Sequence, residues 1–191
     1  MKNITFWSST SGRSGTSNNM IAVSTMAAVL YSLKTTLVQF DKESMPLNQA
    51  FEDEKHKNML GEEFSFYNRK GLDEVLEKSR LEKVEKSVIT NNLVNVKHTN
   101  LYYMPPSAKT DLELEESLDE HFIHMFFSGM KHFKSLNFID GINGTGEISE
   151  TLLRNSDLIV VNLYQGMDGI EEILANQLVR EKGIFIVGRY D

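Results

Sequence analysis

Residues 4–30, ITFWSSTSGRSGTSNNMIAVSTMAAVL, decide how the rest of the chain is read. A short apolar, β-type run (Ile4, Phe6, Trp7) enters a loop of small polar residues carrying Gly12 and Gly15, which opens into an apolar, helix-patterned segment from Asn18. Strand, glycine loop and helix is the order of a phosphate-binding loop, where backbone N–H groups and a helix N-terminus converge on one anion. Glycines let the backbone come close and take φ > 0. Against the pattern G-x-x-x-x-G-K-[ST], Thr10 stands at the first glycine, Gly15 at the second, Thr16 at the lysine and Ser17 at the Ser/Thr. The lysine is absent. The competing reading is a plain strand-to-helix turn in which Ser17 and Asn18 only cap a helix.

Working outward, a first helix runs from Asn18 to about Leu33. Residues 35–41, TTLVQFD, form a β-branched run ending in a carboxylate, a second strand with Asp41 at its C-terminal edge. Ligands of open parallel sheets sit outside the carboxyl ends of the strands, so Asp41 is expected to face the same crevice as the glycine loop. Residues 42–94 form a charged tract with helical spacing at Leu72, Val75 and Leu76 and again at Leu81, Val84 and Val88, with a mobile piece expected around Gly61. Residues 99–105 read as a third strand stopped by Pro105-Pro106. Residues 110–133 read as one helix with acids in its first turns. Residues 136–142, LNFIDGI, form a fourth strand with Asp140 near its end, followed by a turn at Gly144 and Gly146 and a short helix over 147–155. Residues 156–163, SDLIVVNL, are a buried apolar strand, 165–182 carry a helix, and 183–189 are a last strand. Strands alternating with helices predict right-handed βαβ units and a three-layer α/β/α sandwich with a mainly parallel sheet.

At 191 residues the chain has room for one sizeable α/β domain over 1–191. It contains no cysteine, which removes disulfides and thiolate zinc sites and fits a reducing compartment. A polar turn begins at Ser8 and no apolar run nears the ~20 residues of a membrane span, so no integral membrane segment and a cytoplasmic location are expected. The formal charge of −7 disfavours broad polyanion binding, and the lysines at 55–57 and 78–86 alternate with Glu as on a solvated helix face. DNA binding is left without support from charge.

Five pieces in order resemble the ParA/MinD-type deviant Walker A ATPases: the N-terminal loop, VQFD, GLDEVL with NLYYMPPS, FIDGINGTG, and SDLIVVNL. The resemblance covers essentially the whole chain and implies a P-loop NTPase-like fold of the SIMIBI class. It implies ATP or ADP with Mg²⁺ as ligands, held by Gly12, Arg13, Ser14, Gly15, Thr16, Ser17 and Asn18. Ser17 and Asp140 would serve Mg²⁺, and Asp41 would orient the attacking water and the metal's shell. The family loop K-G-G-x-G-K-[ST] falls on Ser11 to Ser17, so both lysines are missing, at Ser11 and at Thr16. Each normally neutralises charge on the phosphoryl group, so weak or absent hydrolysis is expected while amide-based binding persists. Arg13 offers a substitute cation from another backbone position. A lysine-free loop resembles the TadZ/CpaE-like branch, which implies a homodimer acting with protein partners of a localisation or pilus-secretion system. The family would continue with further helix beyond Asp191, so a C-terminally truncated domain is one reading, and its base-recognition residues would fall near Gly188 and Arg189.

Blander readings stand beside these. Asp41 and Asp140 could be turn formers at strand ends. His121 and His124, with Glu120, have the spacing of metal ligands but are commonplace on an amphipathic helix. The nine methionines and Trp7 are expected in the core. No Ser/His/Asp constellation can be assembled. The functional alternatives are an interaction scaffold that has lost the ligand and an active partitioning ATPase.

Overall fold

The computed structural model describes residues 2–10, 12, 14–41, 46–51, 71–81, 85–131, 133, 135–164 and 170–188. Seven strands form one sheet: β1 (Lys2–Trp7), β2 (Thr35–Gln39), β3 (Val94–Asn95), β4 (Leu101–Tyr103), β5 (Leu136–Asp140), β6 (Leu158–Tyr164) and β7 (Gly183–Gly188). Their order is β3-β4-β2-β5-β1-β6-β7, and every pairing is parallel except β3 with β4. The helices are α1 (Thr16–Val29), α2 (Leu47–Phe51), α3 (Leu72–Ser79), α4 (Lys86–Asn91), α5 (Asp111–Glu115), α6 (Glu120–Met130), α7 (Glu147–Asn155), α8 (Ile170–Ala175) and α9 (Gln177–Lys182).

Alternation along the strands divides the core into two layers. Phe6, Leu37, Phe138 and Val160 face Met20 and Ala28 of α1 and Leu47 of α2. Their neighbours Val38 and Ile139 pack with Phe122, Phe126 and Leu152 from α6 and α7, while Trp7, Ile159 and Val161 pack with Leu153 and Val179. Helices therefore cover both faces, and the expected α/β sandwich is the observed architecture. A strand buried on both sides explains the near-continuous apolar run of β6. Among the described residues no helix is long and apolar enough to cross a membrane.

Several boundaries differ from the sequence reading. The predicted helix over 110–133 is two helices, because side chains intercept its backbone. Thr110 and Glu113 form a capping box at α5, and Asp119 accepts the Phe122 N–H at 2.6 Å to start α6 afresh. The predicted helix over 165–182 is likewise interrupted, with Asn176 capping α9 through the N–H groups of Leu178 and Val179. Helix α1 stops at Val29 rather than Leu33: Ser32 takes a left-handed backbone and the Leu33 N–H turns back to the Ala27 carbonyl. Strand β3, two residues long, was not expected. It is held by its ladder to Tyr102 and Tyr103 and by the Asn95 side chain on the Leu101 carbonyl. The mobile piece expected around Gly61 lies outside the described residues.

The core holds an aromatic group in which Phe126 meets Phe40 and Phe127 edge-on and Phe122 at a tilt. Phe126 is fully buried. Phe126→Ala is expected to lower stability by about 3–5 kcal/mol, read as a reduced urea midpoint with an unchanged slope.

Candidate functional site

The strand order brings β2, β5 and β1 side by side, so their carboxyl ends open on one crevice. The glycine loop leaves β1 there. Gly12 and Gly15 both have left-handed backbones, at φ 73 and 68, which side chains with a Cβ rarely adopt. A Cβ on either would meet nothing within 4 Å, so the space beside each glycine is open. Gly15 then caps α1 without any side-chain hydrogen bond, and no acidic residue sits in the first turn. The N-terminal dipole of this 14-residue helix is therefore uncompensated by its own side chains.

Two hydroxyls of the loop pair with each other. Ser14 Oγ and Thr16 Oγ1 lie 2.8 Å apart, both residues being buried, and the Asn19 amide donates to Asn162 Oδ1 on β6 at 2.8 Å. Asn162 in turn donates to the Trp7 carbonyl, tying β6 to the strand that feeds the loop. Ser11 and Arg13, the remaining loop positions, lie outside the described residues, as does Arg189.

Ser17 Oγ donates to Asp140 Oδ2 at 2.5 Å, and Gln39 Nε2 donates to the same oxygen at 3.1 Å. Asp140 is fully buried, and its Oδ1 has no hydrogen-bond partner. Burial pushes its carboxyl from the ordinary 3.8 up to about 7; the Ser17 hydroxyl opposes this, the nearby Asp41 charge adds to it, and Gln39 opposes it. Asp41, 7% exposed, accepts from Asn143 Nδ2 at 2.6 Å. Asn143 Oδ1 takes the Ser8 N–H at 2.9 Å, and the Ser8 carbonyl takes the Gly144 N–H at 2.9 Å. Trp7 Nε1 reaches the Gly144 carbonyl and Ser149 Oγ, so the one tryptophan is core at its ring and locked to the loop after β5 at its edge.

The structure thus brings Ser17, Asp140 and Asp41 to one crevice beside the open glycine loop, with Gly12, Ser14, Gly15, Thr16 and Asn18 around it. It adds Gln39, Asn143, Asn19 and Asn162, which sequence reasoning did not single out. The available signal was Gln39, an amide following the β-branched and apolar residues of a buried strand. Oxygen donors alone, with two carboxylates and a hydroxyl, suit a hard cation that keeps some of its waters. The unpartnered Asp140 Oδ1 leaves a buried acceptor that such a water would satisfy. Among the described residues no three of His, Cys, Asp and Glu gather into a metal cluster. His124 instead faces Asn155 at 3.2 Å and Glu120 accepts from Thr151.

Solved structures share this architecture. A plasmid partition protein of Borrelia burgdorferi bound to AMPPNP superposes with a TM-score of 0.70 at 21% identity, covering 100% of this chain and 76% of that one. A ParA family ATPase from Chlorobium tepidum gives 0.67 at 12% identity, over 100% and 75%. MinD from Pyrococcus horikoshii complexed with Mg-ADP gives 0.58 at 14% identity, over 100% and 72%. The chain has the ParA/MinD-type P-loop ATPase fold. No family model and no curated protein matches the sequence, so the ParA/MinD fold is recognised through structure.

The raised carboxyl of Asp140 has a consequence for stability. Between about pH 4 and pH 7 the folded chain keeps a proton that the unfolded chain releases, so this contribution is full below the ordinary value and is lost as pH rises through about 7. Stability is expected to fall by a few kcal/mol across that window, and Asp140→Asn should flatten the trend in urea titrations at successive pH values.

Proposed function

We propose that this chain binds ATP or ADP with Mg²⁺ in the crevice between the glycine loop and Asp140, hydrolyses the nucleotide weakly or not at all, and works as a dimeric localisation or assembly factor. The observation that carries the reading is the buried pair Ser17–Asp140 with one oxygen left unsatisfied, set at the foot of an open, uncapped helix N-terminus. The neighbours' AMPPNP and Mg-ADP complexes support it.

In this reading the backbone N–H groups of Gly15, Thr16 and Ser17 and the α1 dipole hold the phosphates. The Ser17 hydroxyl and Asp140 face the metal, and Asp41 orients water at its outer shell. Bound Mg²⁺ supplies charge neutralisation on the phosphates. Thr16 stands where a lysine would reach the terminal phosphates; its neutral side chain adds no positive charge, and its hydroxyl pairs with Ser14. That is the basis for slow or absent turnover. Homodimerisation and a pilus or secretion role belong to the same proposal and derive from the resemblance, and a cytoplasmic location, read from the polar N-terminus, belongs to it as well. The single-domain reading over 1–191 belongs to it too.

Mg·ATP at about 100 times its Kd is expected to raise the melting temperature by about 5–10 °C. No shift at millimolar concentration would leave the scaffold reading. Thr16→Lys is expected to tighten Mg·ATP binding by about tenfold, and an unchanged affinity would show that Thr16 does not face the phosphates. The likeness to the Borrelia partition protein favours a second reading, an active partitioning ATPase, which rapid DNA-stimulated phosphate release would select.

A further inference from the structure

Two carboxamides occupy mirrored places beside the site's acids. Gln39 lies on β2, two residues before Asp41, yet its Nε2 donates to Asp140 at 3.1 Å, while its Oε1 accepts the Leu47 N–H at the start of α2, also at 3.1 Å. Asn143 lies three residues after Asp140, yet its Nδ2 donates to Asp41 at 2.6 Å while its Oδ1 accepts the Ser8 N–H at 2.9 Å. Each segment's amide thus holds the other segment's acid, across the adjacent strands β2 and β5. In both cases the amide's orientation is determined chemically: the NH₂ must meet the carboxylate and the oxygen must meet a backbone N–H, since the reverse places acceptor on acceptor and donor on donor.

We propose that Gln39 and Asn143 are positioning residues which cross-brace Asp140 and Asp41 into the geometry that a hydrated divalent cation requires; this rests on the nucleotide reading above. Mg²⁺ tolerates little departure from octahedral geometry, so the two carboxylates must be held within a fraction of an ångström. They also repel one another, and Asp41 adds to the pressure on Asp140. A lysine or arginine in either place would hold an acid too, but its charge would compete with the cation. A neutral carboxamide restrains the acid without adding a charge of its own. Each brace's second bond carries the restraint to a neighbouring segment: Ser8 opens the glycine loop, and Leu47 opens α2. Outer partners of this kind commonly change metal affinity by about 10–100-fold.

The test measures ATP affinity with Mg²⁺ and with EDTA in the native chain, Asn143→Ala, Asp41→Asn and the double variant, using thermal shift and Trp7 fluorescence. Asn143→Ala is expected to cut the Mg²⁺-dependent gain in affinity by about tenfold while metal-free affinity changes less than about twofold. In the Asp41→Asn background the same substitution should change that gain less than about twofold, because its effect passes through Asp41. Equal losses with and without Mg²⁺, or a full tenfold loss repeated in the Asp41→Asn background, would overturn the brace and leave the nucleotide reading intact. A native chain that binds no Mg·ATP would remove both. Should Asn143→Ala not fold, Gln39→Met with Asp140→Asn runs the same cycle on the other brace.

Discussion

The hydrogen bond from Ser17 to Asp140 joins residues 123 positions apart, and much of the molecule is arranged so that it can form. Asp140 ends the strand that pairs with both β1 and β2, so it sits fully buried at the middle of the sheet. Burying a carboxyl there raises the cost of its charge, which is why its titration moves so far toward neutrality. Ser17 meets it only because Gly15, in a left-handed conformation, turns the chain from loop to helix in one step. The helix start, the open loop and the buried acid are therefore one construction.

Among the described residues, amide side chains hold the polar groups of the crevice. Gln39 and Asn143 bind the two acids, and Asn19 and Asn162 bind the loop to β6. Such bonds fix position without adding charge of their own, which suits a site for a cation and the phosphates it would accompany. The described ion pairs, Lys78–Glu74 and Arg154–Glu150, lie on helix surfaces away from the crevice and add little to stability. Exposed apolar residues collect elsewhere, on α1 at Met26 and Val29, just beyond it at Leu30 and Tyr31, and on the edge strand β7 at Ile184, Phe185 and Val187.

The fold was legible because its signals are local. Apolar runs such as LIVVNLY and the glycine loop ahead of an apolar helix depend on neighbours in sequence, and six of the seven strands could be read from them. Element ends were less legible. Asp119 and Asn176 break helices by capping, and their composition resembles the helical residues around them. Strand β3 escaped because two residues carry no period. The neighbours agree with this architecture while sharing at most about a fifth of their residues with it, since many sequences satisfy one pattern of buried and exposed positions.

Within the site, the chain's linear order was enough to mark Asp41 and Asp140 as strand-end acids and Ser17 as the residue after a glycine turn. It also revealed that no lysine follows the loop's glycine, a matter of composition that no folding can alter. Which amide would hold which acid could not be read from order, because Gln39 serves the acid of β5 and Asn143 the acid of β2. That crossing exists only once β2 and β5 lie side by side. The unsatisfied oxygen of Asp140 is equally a product of packing: burial and the count of available partners are properties of the assembled sheet, set by which residues from distant segments arrive within hydrogen-bonding distance.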